Sequence, residues 1–279
     1  MVASVEAPAQ RHDVAEIMGG IYGEGIIGCR GAFDRPWVER LADDVAAAYE
    51  DALGREGGAV GRGPKRHYVE IRPEDVSGFV ELTTHEWVTA VCEAVLGADY
   101  AFVEIGFDVP NPGAMNQPWH RDFAAPPETV HGRRISSLVF NLTTVDVTDE
   151  MGPFEIAPGT QCDDASGFEH GMFPPKSHYR RYEERAQRKL PQMGDISART
   201  ALTVHRGTAN RSDTARPVLV LGAEAADATK AIAHDLQVTR SYYESLPETL
   251  RSHLSCRLVE RLEPVVQGHT IEGLVMGEA

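Results

Sequence analysis

The sequence lacks the features that define several large classes of protein. Its four cysteines are widely scattered (Cys29, Cys92, Cys162 and Cys256) and none belongs to a C-x-x-C pair. The sequence therefore indicates neither a zinc ribbon nor a disulfide framework. It has no apolar run of about 18 residues, the length that suggests a membrane-spanning helix. Its first residues, MVASVEAPAQRHDVAE, lack a basic region followed by an apolar run, so we predict a cytoplasmic protein.

The sequence also has fewer basic than acidic residues. The 279 residues include 27 Lys and Arg against 42 Asp and Glu, a formal net charge of −15. Nucleic acid and anionic membranes repel such a protein at long range, so neither is expected as a general partner. Because no Pro-, Gly- or Ser-rich linker divides the chain, we predict a single domain over residues 1–279.

The first part of the chain, about residues 1–98, is predicted to be helical. The segment FDRPWVERLADDVAAAYEDALG has Pro36 in its first turn and Gly54 after its end. Its apolar stripe consists of Trp37, Leu41, Val45, Tyr49 and Leu53. A second helix is predicted to begin at Thr83, which forms a capping box with Glu86, and to end at Gly97. We expect both helices to cover a sheet.

Short strands dominate the next part, about residues 99–225. They read AFVEIGFDV, ISSLVFNLTTV, PFEIAP, ISARTALTVH and RPVLVLGA, with Gly- and Pro-containing turns between them. This pattern predicts a mainly β protein with flanking α-helices and a double-stranded β-helix core, of the jelly-roll or cupin-like kind. A C-terminal helical segment is predicted at about residues 240–265, where leucines are spaced four apart at Leu250, Leu254, Leu258 and Leu262.

The stretch NQPWHRDFAAP, residues 116–126, places His120 two positions before Asp122, after a predicted strand. Residues two apart on an extended chain project to the same side. Two imidazoles and one carboxylate form the facial triad of non-haem iron sites, which leaves further coordination positions open. The pair is either part of such a site or two polar residues of a surface loop, and partners elsewhere in the sequence decide between these readings.

A later segment, RTALTVHRGTANRSDTARPVLVLG, supplies those partners. On a predicted strand over residues 199–205, His205 shares a face with Thr203 and Ala201, which leaves room for a metal. Eleven residues later, Arg216 opens the next apolar strand and is predicted to point inward. A buried guanidinium requires an anion, and a carboxylate fits its planar fork.

Together these motifs resemble the phytanoyl-CoA dioxygenase family of iron(II)- and 2-oxoglutarate-dependent oxygenases. The resemblance implies that His120, Asp122 and His205 bind iron(II), and that Arg216 grips the distal carboxylate of 2-oxoglutarate. The segment MGPFEIAPGTQ, residues 151–161, resembles the NGPL…PGSH segment of the family.

The resemblance also bears on the other contacts with 2-oxoglutarate. Gln161 replaces the histidine of the PGSH segment, and Gly207 replaces the serine usually found two residues after the distal histidine. A hydroxyl for the co-substrate would then come from Thr208 or another residue. Asn210 matches an asparagine often found between the distal histidine and the arginine.

Candidate substrate residues are less sharply defined. Gln117, Trp119 and Phe123 flank the metal pair and are candidates for lining the pocket, although Trp119 fits core packing equally well. The basic segment KSHYRRYEERAQRK contains Arg180 and Arg181. It is either a lid that meets an anionic substrate or a solvated helix.

One further carboxylate is ambiguous. Glu104 lies on a predicted strand opposite Val103, Ile105 and Phe107. It is either on the solvent side of an amphipathic strand or a carboxylate of the pocket, and the sequence leaves both open.

The family implies a reaction that consumes iron-bound 2-oxoglutarate and O2, releases succinate and CO2, and by default hydroxylates a small organic molecule, for instance in secondary metabolism. Asp122 favours oxygenation, because halogenating relatives carry Ala or Gly at this position. Two alternatives stay open: a metal-dependent hydrolase or isomerase on a cupin-like barrel, in which Arg216 binds substrate, and a non-catalytic metal-containing binding protein. A carrier protein or CoA thioester as partner and a homo-oligomer are also left open.

Overall fold

The computed structural model describes residues 12–229 and 234–267. Within these ranges the α-helices are α1 (Val14–Gly19), α2 (Arg35–Leu53), α3 (Phe79–Thr83), α4 (Glu86–Leu96), α5 (Pro127–Gly132), α6 (Tyr179–Glu183), α7 (Arg240–Ser245) and α8 (Glu248–Arg251). Short 3-10 turns lie at Pro73–Asp75, Asp149–Met151 and Lys176–His178, and a π-helical turn at Gly20–Glu24. None of the helices in the described ranges is long and apolar enough to cross a membrane.

The strands of the described ranges form three sheets. In chain order they are β1 (Ile26–Cys29), β2 (Val60–Gly61), β3 (Arg66–Glu70), β4 (Ala101–Pro110), β5 (Ser137–Thr143), β6 (Phe154–Ile156), β7 (Gln187–Lys189), β8 (Ile196–Arg199), β9 (His205–Gly207), β10 (Val218–Glu224), β11 (Gln237–Thr239) and β12 (Arg257–Val259). The large antiparallel sheet has the order β1-β8-β5-β10-β4-β3-β2, the small sheet has the order β7-β6-β9, and β11 pairs with β12 in parallel. The prediction of a mainly β protein with flanking helices is therefore confirmed.

Alternation of side chains gives the large sheet two different faces. One face packs against helices: the ring of Phe107 meets Tyr49 of α2 edge-on at 6.3 Å between centroids, and Phe140 meets Trp87 of α4 at 6.2 Å. The opposite face lines a cavity, with residues that include Glu104, Asn141 and Val220. Glu104 is thus a carboxylate of the pocket, one of the two readings that the sequence left open.

Helix α2 confirms the strongest helical prediction. Asp34 caps its first turn by accepting a hydrogen bond from the Trp37 N–H (2.8 Å), and the helix ends at Leu53 before Gly54. Leu53, however, is 54% exposed, and Ala52 is buried in its place. Residues four apart on an α-helix drift by about 40° per step, so a stripe spaced by four turns away from the core by its last member.

The second predicted helix is interrupted at its start. Thr83 ends α3, where its hydroxyl donates to the Phe79 carbonyl (2.7 Å), so the predicted capping box at Thr83 is wrong. Such back-bonding from Thr to the residue four earlier competes with capping. The N-cap of α4 is instead His85, whose Nδ1 accepts from the Trp87 N–H at 3.2 Å.

Part of the segment predicted to be helical is extended. β1, β2 and β3 all join the large sheet, and β3 pairs with β4 along its full length. The polar residues of β3 that face the cavity are Arg66, Tyr68 and Glu70. Because its inward face is polar, this strand lacks the apolar alternation by which strands are detected.

The predicted strand over residues 199–205 is wrong. β8 ends at Arg199, and β9 begins only at His205. Between them the Thr200 hydroxyl accepts a hydrogen bond from the Thr203 N–H (3.1 Å), which stabilises a turn. The turn carries the chain from the large sheet to the small one, and therefore brings His205 to the other side of the cavity.

The predicted C-terminal helix over residues 240–265 is also wrong as a continuous element. Pro247 separates α7 from α8, and α8 ends at Arg251. The following residues flank Phe102, whose N–H donates to the His253 carbonyl (2.7 Å), and then form β12. In this segment the chain pairs with Phe102 of β4 and with β11. These pairings outweigh the helical preference that the spacing of the leucines indicates.

A glycine fixes the turn before β8. Gly194 has φ of 95°, and a Cβ at this position would collide with the Phe33 carbonyl oxygen. Gly194→Ala is expected to lower the free energy of unfolding by about 2 kcal/mol or more, because a left-handed conformation alone costs an L-residue roughly 1–3 kcal/mol. Thermal denaturation checks this. Gly28→Ala is the control, since its Cβ would lie 3.6 Å from the Ile196 oxygen. Equal melting temperatures for the two variants would contradict the expectation.

Candidate metal centre

A backbone bridge holds the two candidate histidine ligands side by side. His120 lies in the loop between β4 and α5 and pairs with His205 at the start of β9; each N–H donates to the carbonyl of the other at 2.9 Å. Two residues further, the Asp122 N–H donates to the Ala201 carbonyl, also at 2.9 Å. β9 is held in turn by β6, where Ile156 is opposite His205. The loop that contains His120 and Asp122 is thus fixed to the small sheet by main-chain hydrogen bonds.

The three predicted ligands converge. Nε2 of His205 lies 3.2 Å from Oδ1 of Asp122, and the rings of His120 and His205 are 4.4 Å apart between centroids. The ligand atoms of all three residues lie within 4.8 Å of one another. In the described part of the chain this is the one group of His, Cys, Asp and Glu residues arranged closely enough to hold a metal ion.

Backbone carbonyls orient both imidazoles. Nδ1 of His120 donates to the Pro118 carbonyl and Nδ1 of His205 to the Thr203 carbonyl, each at 2.8 Å. In the neutral imidazole this places the proton on Nδ1 and leaves the lone pair on Nε2, the arrangement in which hydrogen-bonded histidines bind metals. Burial, and next the charge of His205, lower the pKa of His120 to about 3. The imidazole of His120 is therefore neutral and available as a ligand.

The carboxylate of Asp122 is held by Arg199, a residue that the sequence analysis missed. Nη1 of Arg199 donates to Oδ2 of Asp122 at 2.6 Å, and its Nε donates to Oδ1 of Asn141 at 3.2 Å. Burial alone would raise the pKa of Asp122. The charges of Arg199 and His205 lower the pKa by more than burial raises it, so the pKa lies well below its usual range. Because Arg199 binds Oδ2, Oδ1 of Asp122 is free to face the two histidines. The sequence signal for Arg199 was an arginine at the end of an otherwise apolar strand.

One cavity contains this group and several other charged residues. Its volume is about 810 Å³, within the range of roughly 300–1,000 Å³ that encloses a drug-sized ligand. Both sheets contribute to its wall: β10 and β5 of the large sheet, and β6 and β9 of the small one. The site therefore has room for a co-substrate and an organic substrate together.

Arg216 lines the same cavity and is 3% exposed. Its Nε donates to the Met151 carbonyl at 3.2 Å, and no residue within the described ranges forms an ion pair with it. Arg66, whose charge acts on Arg216, is instead paired with Asp108 at 2.7 Å. Burial, and next the charge of Arg66, lower the pKa of Arg216 to about 10, so it is charged at neutral pH. A buried cation in this state is a site for an anion.

Thr208 and Asn210 stabilise the loop after β9, and the structure does not bring them to the cavity. The Thr208 hydroxyl donates to the Pro153 carbonyl at 2.6 Å. Nδ2 of Asn210 donates to the carbonyls of Pro110 and Thr214, at 3.0 and 2.8 Å. Their hydrogen bonds therefore favour a supporting role for both residues over the predicted contact with 2-oxoglutarate.

The candidate substrate residues beside the metal group divide into two kinds. Gln117 and Phe123 line the cavity, and Oε1 of Gln117 accepts from the Gly207 N–H at 2.9 Å. Trp119 is fully buried in a second apolar cluster, where its ring lies 5.9 Å from that of Tyr182. Of the two roles that the sequence left open for Trp119, pocket lining and core packing, the structure shows core packing.

The basic segment over residues 176–189 is not a single helix. It contains the short helix α6 and then β7, which pairs with β6. Arg180 is exposed and pairs with Glu184 at 2.7 Å, while Arg181 pairs with Asp163 at 2.5 Å. The structure does not bring either arginine to the cavity, and these surface pairs favour the solvated reading.

The contact between Arg199 and Asp122 generates a prediction about metal affinity. Arg199→Gln is expected to weaken Mn(II) binding by roughly 10–100-fold, because it removes the charged donor that holds the ligand carboxylate. Calorimetric titration of the purified chain measures this affinity. Arg188→Gln, which removes ion pairs with Asp149 and with the buried Glu155, itself still paired with Arg206, is expected to leave this affinity unchanged. Wild-type affinity in a folded Arg199→Gln variant would contradict the assignment.

Comparison with known families identifies a match over most of the chain. The model of the phytanoyl-CoA dioxygenase (PhyH) family matches residues 22–218, which contain His120, Asp122, His205 and Arg216. The curated proteins contain no significant match to the sequence.

Solved structures share the fold. The epimerase SnoN in complex with Fe3+, alpha-ketoglutarate (2-oxoglutarate) and nogalamycin RO has a TM-score of 0.62 and 18% identity, covering 94% of this chain and 97% of SnoN. The non-haem alpha-ketoglutarate-dependent carbocyclase SnoK from nogalamycin biosynthesis has a TM-score of 0.61 and 19% identity, covering 82% and 90%. AviO1 from Streptomyces viridochromogenes Tue57 has a TM-score of 0.60 and 16% identity, covering 79% and 98%.

At these identities the likeness to solved structures concerns the fold, and it confirms the predicted jelly-roll core. The family match covers the residues of the candidate site as well. The protein therefore belongs to the phytanoyl-CoA dioxygenase (PhyH) family of iron(II)- and 2-oxoglutarate-dependent enzymes.

Proposed function

We propose that this protein uses iron(II), 2-oxoglutarate and O2 to oxidise a small organic molecule, with release of succinate and CO2 and with hydroxylation as the default outcome. One observation carries the proposal: the group of His120, Asp122 and His205 opens on the same cavity as Arg216, a buried cation without an ion pair among the described residues. Three protein ligands leave coordination positions for a co-substrate and oxygen. The guanidinium suits the distal carboxylate of that co-substrate.

The residues of the chain have distinct tasks in this proposal. Bound iron(II) supplies the activation of O2 and the oxidative decarboxylation of 2-oxoglutarate. His120 and His205 would hold the metal through Nε2, and Asp122 through Oδ1, while Arg199 keeps Asp122 in position. Arg216 orients 2-oxoglutarate by its carboxylate. The enclosed walls exclude water and place the target bond of the substrate near the metal.

The proposed outcome and setting go beyond family membership. SnoK is a carbocyclase and SnoN an epimerase, so enzymes with this fold differ in outcome. Hydroxylation is proposed because it needs no feature beyond the metal, its co-substrates and an oriented C–H bond. The origin of SnoK and SnoN in nogalamycin biosynthesis supports a role in secondary metabolism. The predicted single domain over residues 1–279 and the cytoplasmic location stay predictions.

Removal of any one metal ligand is expected to abolish activity. His120→Ala, Asp122→Ala and His205→Ala should each lose bound iron and 2-oxoglutarate-dependent succinate release while the fold persists, because each removes one of only three protein ligands. Metal analysis, succinate release and circular dichroism check this. His131→Ala, an exposed histidine of α5, is the matched control. Near-normal iron content in any of the three variants would refute the metal assignment.

Truncation of Arg216 separates the oxygenase from its alternatives. Removing one partner of a desolvated ion pair costs about 2–5 kcal/mol, and each 1.4 kcal/mol is about a factor of ten in affinity. Arg216→Ala is therefore expected to weaken 2-oxoglutarate binding to the Mn(II)-loaded protein at least about tenfold. Arg216→Lys should also bind poorly, since an ammonium does not reproduce the planar fork.

Metal affinity is the internal control for Arg216, because the guanidinium is not a ligand and Mn(II) binding should persist in both variants. The oxygenase proposal would be refuted if Arg216→Ala bound 2-oxoglutarate with wild-type affinity, or if the native protein turned over without 2-oxoglutarate. Either result would favour the hydrolase or isomerase alternative. Binding of metal and 2-oxoglutarate without any succinate release under O2 would indicate a non-catalytic binding protein.

A further inference from the structure

The cavity face of the large sheet separates its charges along the strands. Toward one end of the paired strands β3 and β4, Arg66 and Asp108 form an ion pair, and the charges of both act on Arg216. Toward the other end the inward residues are Glu70 and Glu104, and Tyr68, which is opposite Asp108 in the strand pair, reaches Glu104 with its hydroxyl. With His234, which follows β10 in the chain, these three residues form what we call the acidic end. The co-substrate site proposed above lies at the Arg216 end.

The acidic end is a connected network. The Tyr68 hydroxyl donates to Oε1 of Glu104. Nδ1 of His234 lies 2.8 Å from Oε1 of Glu70, and its Nε2 lies 3.6 Å from Oε2 of Glu104. The side chains of Glu70, Glu104 and His234 are 18%, 16% and 13% exposed. One imidazole therefore stands between two largely buried carboxylates.

This network contains two carboxylates and one imidazole, so it has more acidic than basic groups. Burial raises the pKa of the Glu104 carboxyl, which means that its ionised form is short of compensating charge, and a protonated His234 compensates only one of the two carboxylates when both are ionised. Among the described residues neither Glu70 nor Glu104 pairs with a lysine or arginine, and the Arg62 guanidinium lies over the Tyr68 ring at 5.3 Å. Partly desolvated carboxylates in this arrangement favour a cation beside them.

Two glycines leave space at the acidic end. Gly222 of β10 is opposite Glu104 of β4, and a Cβ on Gly222 would lie 2.8 Å from Oε2 of Glu104. A Cβ on Gly106 would lie 2.6 Å from the Tyr68 hydroxyl. The absent side chains let Tyr68 and Glu104 lie along the cavity floor. The network does not have the close ligand geometry of a metal site, which in the described ranges is confined to the His-Asp-His group, so an organic cation fits better.

We propose that the acidic end binds a protonated amine of the organic substrate, which makes organic amines the substrate class of this enzyme. This inference rests on the proposed function and deepens it. The ammonium donates hydrogen bonds to the carboxylates of Glu70 and Glu104, and the rest of the molecule extends through the shared cavity toward the candidate metal ligands. The two ends discriminate, because an anionic co-substrate is repelled at the acidic end and attracted to Arg216.

Binding of matched probes tests the inference without turnover. The probes are three amines and their isosteric alcohols: benzylamine and benzyl alcohol, cyclohexylamine and cyclohexanol, 4-phenylbutylamine and 4-phenylbutan-1-ol. Their affinities for the full chain loaded with Mn(II) are measured at pH 7 by ligand-observed NMR. At least one amine is expected to bind about tenfold or more tightly than its alcohol, in line with the contribution of desolvated charge pairs.

Charge-neutralising variants locate the effect. Glu70→Gln and Glu104→Gln are each expected to lower the affinity of that amine about tenfold or more, with little change for the alcohol. Glu93→Gln, on the exposed side of α4, should change neither affinity. Melting temperatures verify that the variants are folded, and Glu70→Gln alone decides the matter if Glu104→Gln does not fold. Equal affinity for every amine and its alcohol, no binding of any amine, or wild-type amine affinity in both folded Gln variants would overturn the inference.

Titration of the same samples with Mn(II) and 2-oxoglutarate distinguishes the two possible failures. Loss of amine preference with intact 2-oxoglutarate binding refutes the substrate class and leaves the oxygenase in place. Amine preference that depends on Glu70 and Glu104, without 2-oxoglutarate binding, supports the amine site and removes the proposed oxygenase function.

Discussion

The site depends on one main-chain contact, the reciprocal pair of hydrogen bonds between His120 and His205. It joins a loop that follows β4 to the first residue of β9, and so fixes two side chains that are far apart in sequence. The same carbonyl-rich surroundings orient both rings through Pro118 and Thr203. Hydrogen bonds of Gln117 with Gly207 and of Asp122 with Ala201 extend the same contact on either side of the bridge, so the three ligand candidates are ordered by the main chain before a metal binds.

Residue types and spacing, together with the resemblance to the phytanoyl-CoA dioxygenase family, predicted that the three metal-ligand candidates and Arg216 belong to one site, and the structure brings them to one cavity. Arg199 and the acidic end were not predictable in the same way. Arg66, Tyr68 and Glu70 occupy the inward side of β3, so the strand has no apolar face toward the cavity. Periodicity detects apolar cores, and a polar cavity wall therefore escapes it even when the wall belongs to the central sheet.

The wrong structural predictions share a physical origin in tertiary contacts. The sequence from Arg199 to His205 contains the strand-forming residues Thr and Val, yet the Thr200 hydroxyl accepts hydrogen bonds from backbone N–H groups in a turn and the chain changes sheets there. The C-terminal leucines have helical spacing, but Leu254 is buried where the chain pairs with Phe102. Local propensity is a weak term beside strand pairing and burial. Conversely, α2 was predicted correctly because Pro36 in its first turn, the apolar stripe up to Val45 and Gly54 after its end agree with its packing.

The buried charges show which parts of the cavity serve the fold and which await a ligand. Arg199 forms an ion pair with the carboxylate of Asp122, and Arg66 forms one with the carboxylate of Asp108. Arg121 donates to the carbonyls of Thr160 and Asp163 and lies 5.0 Å from the centroid of the Phe168 ring. Among the buried arginines described, Arg216 has the least compensation, a single carbonyl. Since an uncompensated buried charge is costly, and the acidic end shows the opposite imbalance, the cavity is polarised before any ligand enters. A folded protein retains such an imbalance at a cost in stability, and binding of ligands with matching charges removes that cost.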